Sequence, residues 1–292
     1  MLVVTDLQRC PWTDERAVIT IGAYDGVHLG HRAVIDQVKR RAAELGAKSV
    51  VVTFDRHPAS VVRPESAPRL LTGPELKMEL LESTGIDAVV VVPFTPDQAA
   101  ESPESFVDRV LVKCLRTSAI VVGEDFHFGR HRDGNVDLLR KIGAEADFEV
   151  EPIRLVQRLD GIDEPVSSTA IRRALAGGDI TRANSMLGRP YEVRGEVFTG
   201  DQRGRLLGFP TANVGVPAGM CLPADGVYAG FYEHADASLL EAHLLDVDVD
   251  LYGETARVRF AHFLRSERKF DGVDALVAQL GHDVAHARDL LA

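Results

Sequence analysis

The chain is poor in cysteine, has no long apolar run and carries no excess of positive charge. Its three cysteines, Cys10, Cys114 and Cys221, are isolated and odd in number, so neither a disulfide framework nor a Cys-x-x-Cys metal site is expected. The longest apolar runs, such as Ala88–Val92, are far too short to span a bilayer. Asp6, Asp14 and Glu15 interrupt any apolar stretch at the N-terminus, so no secretory leader is expected and the protein reads as cytoplasmic. A formal net charge of −11 disfavours a broad nucleic-acid or anionic-membrane surface. Anionic ligands must therefore be held by local donors. The Walker pattern G-x-x-x-x-G-K-[ST] is absent as well. What remains is 292 residues with 45% apolar and 26% charged content, enough for two soluble domains with real cores. Oligomeric state is not legible.

The first half alternates strand and helix signals, the pattern of a parallel sheet with crossover helices. Strands are expected at 17–22, Ser49–Phe54, Asp87–Phe94 and Ser118–Gly123, each rich in Val or Ile. Helices are expected at His31–Leu45, Pro74–Ser83 and Pro103–Leu115, the last two opening on proline as first turns often do. Such open sheets bind ligands beyond the carboxyl ends of their strands. After about residue 186 the character changes, with Gly188-Arg189-Pro190 as a linker. Short β patterns follow at Tyr191–Thr199, Thr211–Val216, Gly226–Tyr232, Leu240–Val247 and Ala256–Phe263, the signature of a small antiparallel barrel. A terminal amphipathic helix covers 273–291.

Residues 22–31 read Gly-Ala-Tyr-Asp-Gly-Val-His-Leu-Gly-His directly after the first of these strands. Gly22, Gly26 and Gly30 let the backbone approach a ligand or take positive φ. The helix that follows aims unpaired N–H groups and a positive dipole end outward. His28 and His31, three apart, share a face and can donate to phosphate oxygens. Thr53-Phe54-Asp55-Arg56-His57-Pro58 leaves the second strand, and Gly123-Glu124-Asp125-Phe126-His127-Phe128-Gly129 leaves the fourth with a composition suited to a planar-ring pocket. Ser167-Ser168-Thr169-Ala170-Ile171-Arg172 opens a helix with three hydroxyls and an arginine one turn in. That is either an ordinary N-cap or an anion clamp.

The His-x-Gly-His turn resembles that of the nucleotidyltransferase superfamily. Taken in order, these motifs closely resemble the bacterial bifunctional riboflavin kinase/FAD synthetase family, over essentially the whole chain. The resemblance implies an α/β fold: a Rossmann-like nucleotidyltransferase sheet in an FMN adenylyltransferase domain at 1–186, then a riboflavin kinase β-barrel at 187–292. It implies that His28 and His31 contact ATP phosphates, with Gly22, Tyr24, Asp25, Gly26 and Gly30 shaping that pocket. Ser167, Ser168, Thr169 and Arg172 would hold the triphosphate from the other side. Phe54, His57, Pro58, Asp125 and Phe128 would form the flavin site. Arg56 stands where the family commonly has proline, with only a local effect expected.

The second signature is Gly200-Asp201-Gln202-Arg203-Gly204-Arg205-Leu206-Leu207-Gly208-Phe209-Pro210-Thr211-Ala212-Asn213. Its glycines and arginines could wrap phosphates, and the Thr211 hydroxyl and Asn213 amide are suitable Mg²⁺ ligands. By resemblance, Gly200, Arg203, Gly204, Arg205, Gly208 and Pro210 serve the kinase ATP, and Glu241 is the catalytic base. Against its relatives the chain is missing about twenty residues, by resemblance, between Gly230 and Phe231. Losing a strand from an antiparallel meander reverses the next strand or leaves edges unpaired. Conversion of riboflavin to FMN and of FMN to FAD is expected, with ATP as co-substrate. The alternatives are an adenylyltransferase with a disabled barrel, a non-catalytic flavin-binding protein, and, weakest, an aminoacyl-tRNA synthetase.

Overall fold

The computed structural model describes residues 1–8, 10, 12, 14–154, 164–199, 207–209, 211–234, 237–239, 251 and 253–292. They form two compact units, Met1–Leu70 with Pro74–Val166, and Leu71–Gly73 with Ser167–Ala292. The helices Ser168–Ala176 and Ile180–Leu187 thus group with the second unit, whereas the motif resemblance assigns them to the first domain.

The first unit is a six-stranded parallel sheet: β1 (Leu2–Val4), β2 (Ala17–Ile21), β3 (Lys48–Phe54), β4 (Ala88–Val92), β5 (Thr117–Gly123) and β6 (Glu149–Ile153), in the order β1-β4-β3-β2-β5-β6. Helices cover both faces, so the central strands are apolar at nearly every position. Ile19, Val50, Val52, Val90, Ile120 and Val122 point into one core, which the 103–114 helical stretch and the Val136–Ala146 helix close. Val18, Val51, Val89 and Val121 point the other way, against Val34, Ile35, Val38 and Ala42 of the Leu29–Leu45 helix. Each fully buried Val or Ile stabilises the unit by about 1.5–3 kcal/mol.

Three expectations change. The Pro103–Leu115 helix is α only over Pro103–Phe106, and Val107–Cys114 is π-helical, with the Leu115 N–H reaching back to the Val110 carbonyl at 3.0 Å. Two edge strands, β1 and β6, join the sheet beyond those read from sequence. Cys10 and Cys114 form a disulfide, their Cα atoms 5.4 Å apart across 104 residues of sequence, which corrects the expectation of none. Sequence spacing carries no information on that distance. Cys221 is a buried free thiol.

In the second unit the strands β7 (Tyr191–Phe198), β8 (Asn213–Gly215), β9 (Val227–His234), β10 (Ala237–Leu239) and β11 (Thr255–Arg265) pair antiparallel in the order β10-β9-β11-β7-β8. Val197, Tyr232, Leu251 and Ala256 form its core, and the Val273–Leu291 helix ends the chain as expected. The expected strand Leu240–Val247 lies outside the described residues. No reversal occurs at 230/231: β9 runs straight through, with Gly230 opposite Phe260 and Phe231 opposite Arg259. The chain turns back only after His234, into β10.

Candidate active site

The sheet order places a topological switch between β2 and β5: β3 and β4 build outward on one side of β2, and β5 sits on the other. A crevice opens beyond the carboxyl ends of strands at such a point. The Gly22–His31 turn leaves β2 there, and the 124–129 loop leaves β5.

The turn is tightly made. The Gly22 N–H donates to the Val52 carbonyl at 3.0 Å, tying the turn to β3. Tyr24, Gly26 and Val27 take φ of 51°, 88° and 38°. Left-handed backbone is uncommon for a tyrosine and a genuine outlier for a β-branched valine. Such strain persists only where the surroundings over-determine it. Here both side chains are buried in the core against the Leu29–Leu45 helix. The Tyr24 hydroxyl donates to Thr20 Oγ1 at 2.8 Å, and burial pushes its pKa far above the ordinary phenol range. Tyr24 thus braces the turn from beneath and does not line the cavity described below.

His28 is the N-cap of the Leu29–Leu45 helix, and its Nδ1 accepts the His31 N–H at 3.3 Å. The two imidazoles stack, with centroids 3.6 Å apart and planes 16° from parallel. Burial, then the neighbouring His28, hold the His31 pKa well below the usual histidine range. His31 is therefore neutral at pH 7, and its buried Nδ1 has no partner among the described residues. Imidazoles at the positive end of a helix can donate hydrogen bonds to an anion. Gly30 sits in a crowded spot: a Cβ there would lie 3.0 Å from the Val166 carbonyl oxygen and 3.1 Å from His28 Nδ1.

A cavity of about 910 Å³ opens at the same sheet edge, a size suited to a cofactor-sized ligand. It gathers Gly22, Phe54, His57, Pro58 and Phe128 of the expected residues. Its aromatic wall is organised, with Phe126 stacked on Phe128 at 5.5 Å and Phe54 edge-on to Phe94 at 5.2 Å. Asp25, Gly26, His28, Gly30, His31 and Asp125 do not line it. Asp125 is exposed, with its carbonyl 2.8 Å from His127 Nδ1. The Arg56 guanidinium reaches Asp55 Oδ2 at 3.1 and 3.2 Å. Partial burial works to raise the Asp55 pKa, but the Phe94 N–H at 2.8 Å and Arg56 outweigh it and hold the carboxyl below its ordinary value.

Sequence reasoning missed Lys77. From the Pro74–Glu82 helix its ammonium donates to the Phe54 carbonyl at 2.9 Å, joining that helix to the end of β3. Burial lowers its pKa, offset in part by the carboxylates of Asp25 and Asp55. No motif surrounds Lys77, so only the fold reveals it.

Within the second unit, Ser167 caps the Ser168–Ala176 helix by accepting the Ala170 N–H at 3.1 Å. Ser168 and Arg172 both have interaction partners, and Thr169 is exposed. Gly208 has φ of 81°, Thr211 is exposed, and Asn213 begins β8 opposite Phe198. Gly200, Arg203, Gly204, Arg205, Pro210 and Glu241 lie outside the described residues.

The family model for FAD synthetase matches residues 10–170, more than half of the chain. The model for riboflavin kinase matches in two overlapping pieces, 187–239 and 230–291. The chain belongs to the bifunctional riboflavin kinase/FMN adenylyltransferase family. A relative of that name from Listeria monocytogenes is 38% identical, covering 96% of this chain and 94% of its own length. The Escherichia coli K12 relative is 35% identical over 98% and 96%. A solved Streptococcus pneumoniae structure, described as a macrolide-efflux protein, superposes with a TM-score of 0.86 at 28% identity over 98% of both chains. Among the described residues of this family member, no helix is long and apolar enough to cross a membrane. The kinase match is interrupted in the same region, its two pieces overlapping at 230–239.

Proposed function

We infer that the chain carries out both steps of FAD synthesis, phosphorylating riboflavin to FMN in the domain at 187–292 and adenylylating FMN in the domain at 1–186. One observation carries the second step. The turn that holds the stacked imidazoles of His28 and His31 also lines, through Gly22 and Ala23, an aromatic cavity at the carboxyl edge of the sheet. A planar flavin and a polyphosphate thus have adjoining berths of suitable chemistry.

An oxygen of the FMN phosphate attacks the α-phosphorus of ATP, the bond to the β-phosphate breaks, and pyrophosphate leaves. No covalent enzyme intermediate is needed. Catalysis comes from alignment and from donors aimed where charge develops. The imidazole N–H groups and the free N–H groups of the helix start supply those donors, and Asp25, Gly26 and Gly30 shape the turn around them. Ser167, Ser168, Thr169 and Arg172 are assigned to the same triphosphate on the motif resemblance. Phe54, His57, Pro58 and Phe128 take the flavin ring, with Asp125 near the flavin or nucleotide.

In the kinase domain, Gly200, Arg203, Gly204, Arg205, Gly208 and Pro210 take the ATP phosphates. Glu241 accepts the riboflavin 5′-hydroxyl proton as that oxygen attacks the γ-phosphorus, the bond to the β-phosphate oxygen breaks and ADP leaves. Thr211 and Asn213 offer a hydroxyl and an amide oxygen, which fit a hard cation. Bound Mg²⁺ would neutralise phosphate charge there. The reading keeps the enzyme in the cytoplasm, with small-molecule partners and no nucleic acid.

The test is incubation with riboflavin, ATP and Mg²⁺, followed by separation of FMN and FAD. Both should form. Absence of FAD from supplied FMN would sink the assignment. FAD from FMN, without FMN from riboflavin, would favour an adenylyltransferase with a disabled barrel, a reading the interrupted kinase match keeps open.

A further inference from the structure

The rim of the aromatic cavity carries positive charge that the mechanism above does not use. The acidic residue of its lining, Glu101, is held in a bidentate pair with Arg109 at 2.9 and 2.7 Å. Arg63, Arg130 and Arg132 line the same cavity, and their side chains have no ion pair or hydrogen bond among the described residues. Elsewhere in this unit several arginines find carboxylates, Arg16 meeting Asp147, Arg41 meeting Glu44 and Glu149, and Arg140 meeting Asp137, while Arg32 and Arg40 bond the neutral Ser83 and Gln37. With 44 acidic against 33 basic residues, unpaired guanidiniums gathered at one opening stand out against the rest of the surface.

The loop that displays two of them is strained and held. Gly129, His131 and Arg132 take φ of 71°, 53° and 63°. A side chain at Gly129 would meet Pro103 at 2.6 Å. The Arg130 N–H donates to the Glu101 carbonyl at 2.9 Å, and Phe128 and Gly134 bond each other's backbone at 3.0 and 3.1 Å. Two adjacent non-glycine residues in left-handed backbone, fixed on both sides, make a built feature, and such outliers cluster at ligand clamps.

We propose that Arg63, Arg130 and Arg132 form a cationic collar that selects a phosphate-bearing flavin over a neutral one at this cavity. The proposal rests on the FAD-synthesis reading and adds specificity-determining residues to it. The aromatic wall binds any flavin ring, so it cannot tell FMN from riboflavin. A dianionic phosphate can be told apart by arginine forks, which match its geometry. In an acidic protein the overall field opposes a dianion, and a local cationic rim restores the encounter rate. Neutral riboflavin, which has no nucleophilic phosphate to offer, gains nothing.

The test measures FAD formation from supplied FMN in the full chain, comparing wild type with Arg130→Gln/Arg132→Gln and with Arg63→Gln. Arg63 lies outside the strained loop, so its variant keeps the test valid if the double variant misfolds. The expected result is a KM for FMN raised by about five- to tenfold, with the KM for ATP and kcat within about twofold. The inhibition constant of 5′-deoxyriboflavin, a neutral flavin that cannot be phosphorylated, should stay within about twofold. The dependence of the FMN KM on salt should flatten. An unchanged KM for FMN overturns the collar. So does parallel weakening of 5′-deoxyriboflavin, which would report pocket shape, or of ATP, which would assign the charge to the triphosphate. Wild-type protein that makes no FAD refutes the functional reading itself, and the collar's assignment falls with it.

Discussion

Replacing Gly30 by alanine separates fold from chemistry at the candidate site. Gly30 sits in the first turn of the Leu29–Leu45 helix, where alanine gains about 0.5–1 kcal/mol over glycine in helix propensity. Against that, the new Cβ lies 3.0 Å from the Val166 carbonyl oxygen and 3.1–3.2 Å from the His28 ring. Such overpacking costs about 1–3 kcal/mol. The two effects partly offset, so unfolding in urea should shift by about 0–2.5 kcal/mol, towards destabilisation. The chemistry has no such compensation. The His28 ring must move by a few tenths of an ångström, and it carries the cap bond to the His31 N–H and the stack on the His31 ring. A full ångström of misplacement costs about a hundredfold, so a shift of a few tenths lowers the rate by about five- to tenfold. FAD formation from supplied FMN should therefore fall that far while riboflavin phosphorylation is retained. FAD synthesis within about twofold of wild type would refute the argument that the Gly30 approach positions the imidazoles.

Three further outcomes follow from the first unit. Tyr24→Phe removes the hydroxyl bonded to buried Thr20, and should cost about 1 kcal/mol in urea unfolding without changing FAD synthesis. A large loss of activity would place Tyr24 at the ligand instead of beneath it. Reductant should destabilise this unit by about 2–4 kcal/mol by opening the loop that Cys10 and Cys114 close, whereas identical melts with and without it would mean that the bond does not persist in solution. For His31, burial and His28 depress the folded pKa below an unfolded value of about 6.5, so the unfolded chain binds the proton first. The contribution to stability is complete above that pH and is lost as pH falls from there towards the folded pKa. His31→Gln should flatten that slope, and an unchanged slope would show that His31 is not the titrating group.

How much of this was legible depended on how locally each feature is specified. The Val-Ile runs of β2 to β5 are buried on both faces, so their composition alone declares them. β1, with Leu2 and Val3 exposed, and β6, with Glu149, Glu151 and Pro152, are edge strands. Edges carry charge and proline to discourage further pairing, which erases the strand signal. The Gly22–His31 turn was legible because its chemistry is contiguous: strand, glycines, two histidines and a helix start fall within ten residues. Even there the sequence did not show that Tyr24 turns inward, through a left-handed φ that only the surrounding core imposes. Lys77 and the Cys10–Cys114 pair escaped for the opposite reason. Each depends on two chain segments meeting, and neither segment carries a pattern that names its partner. The same holds for the rim of the cavity. Arg130 and Arg132 read as ordinary surface arginines until the fold sets Arg63 on the same opening and spends Glu101 on Arg109. Charge selectivity at a site is a property of what remains unneutralised after folding, so it becomes visible only when every neighbour of each charge is known.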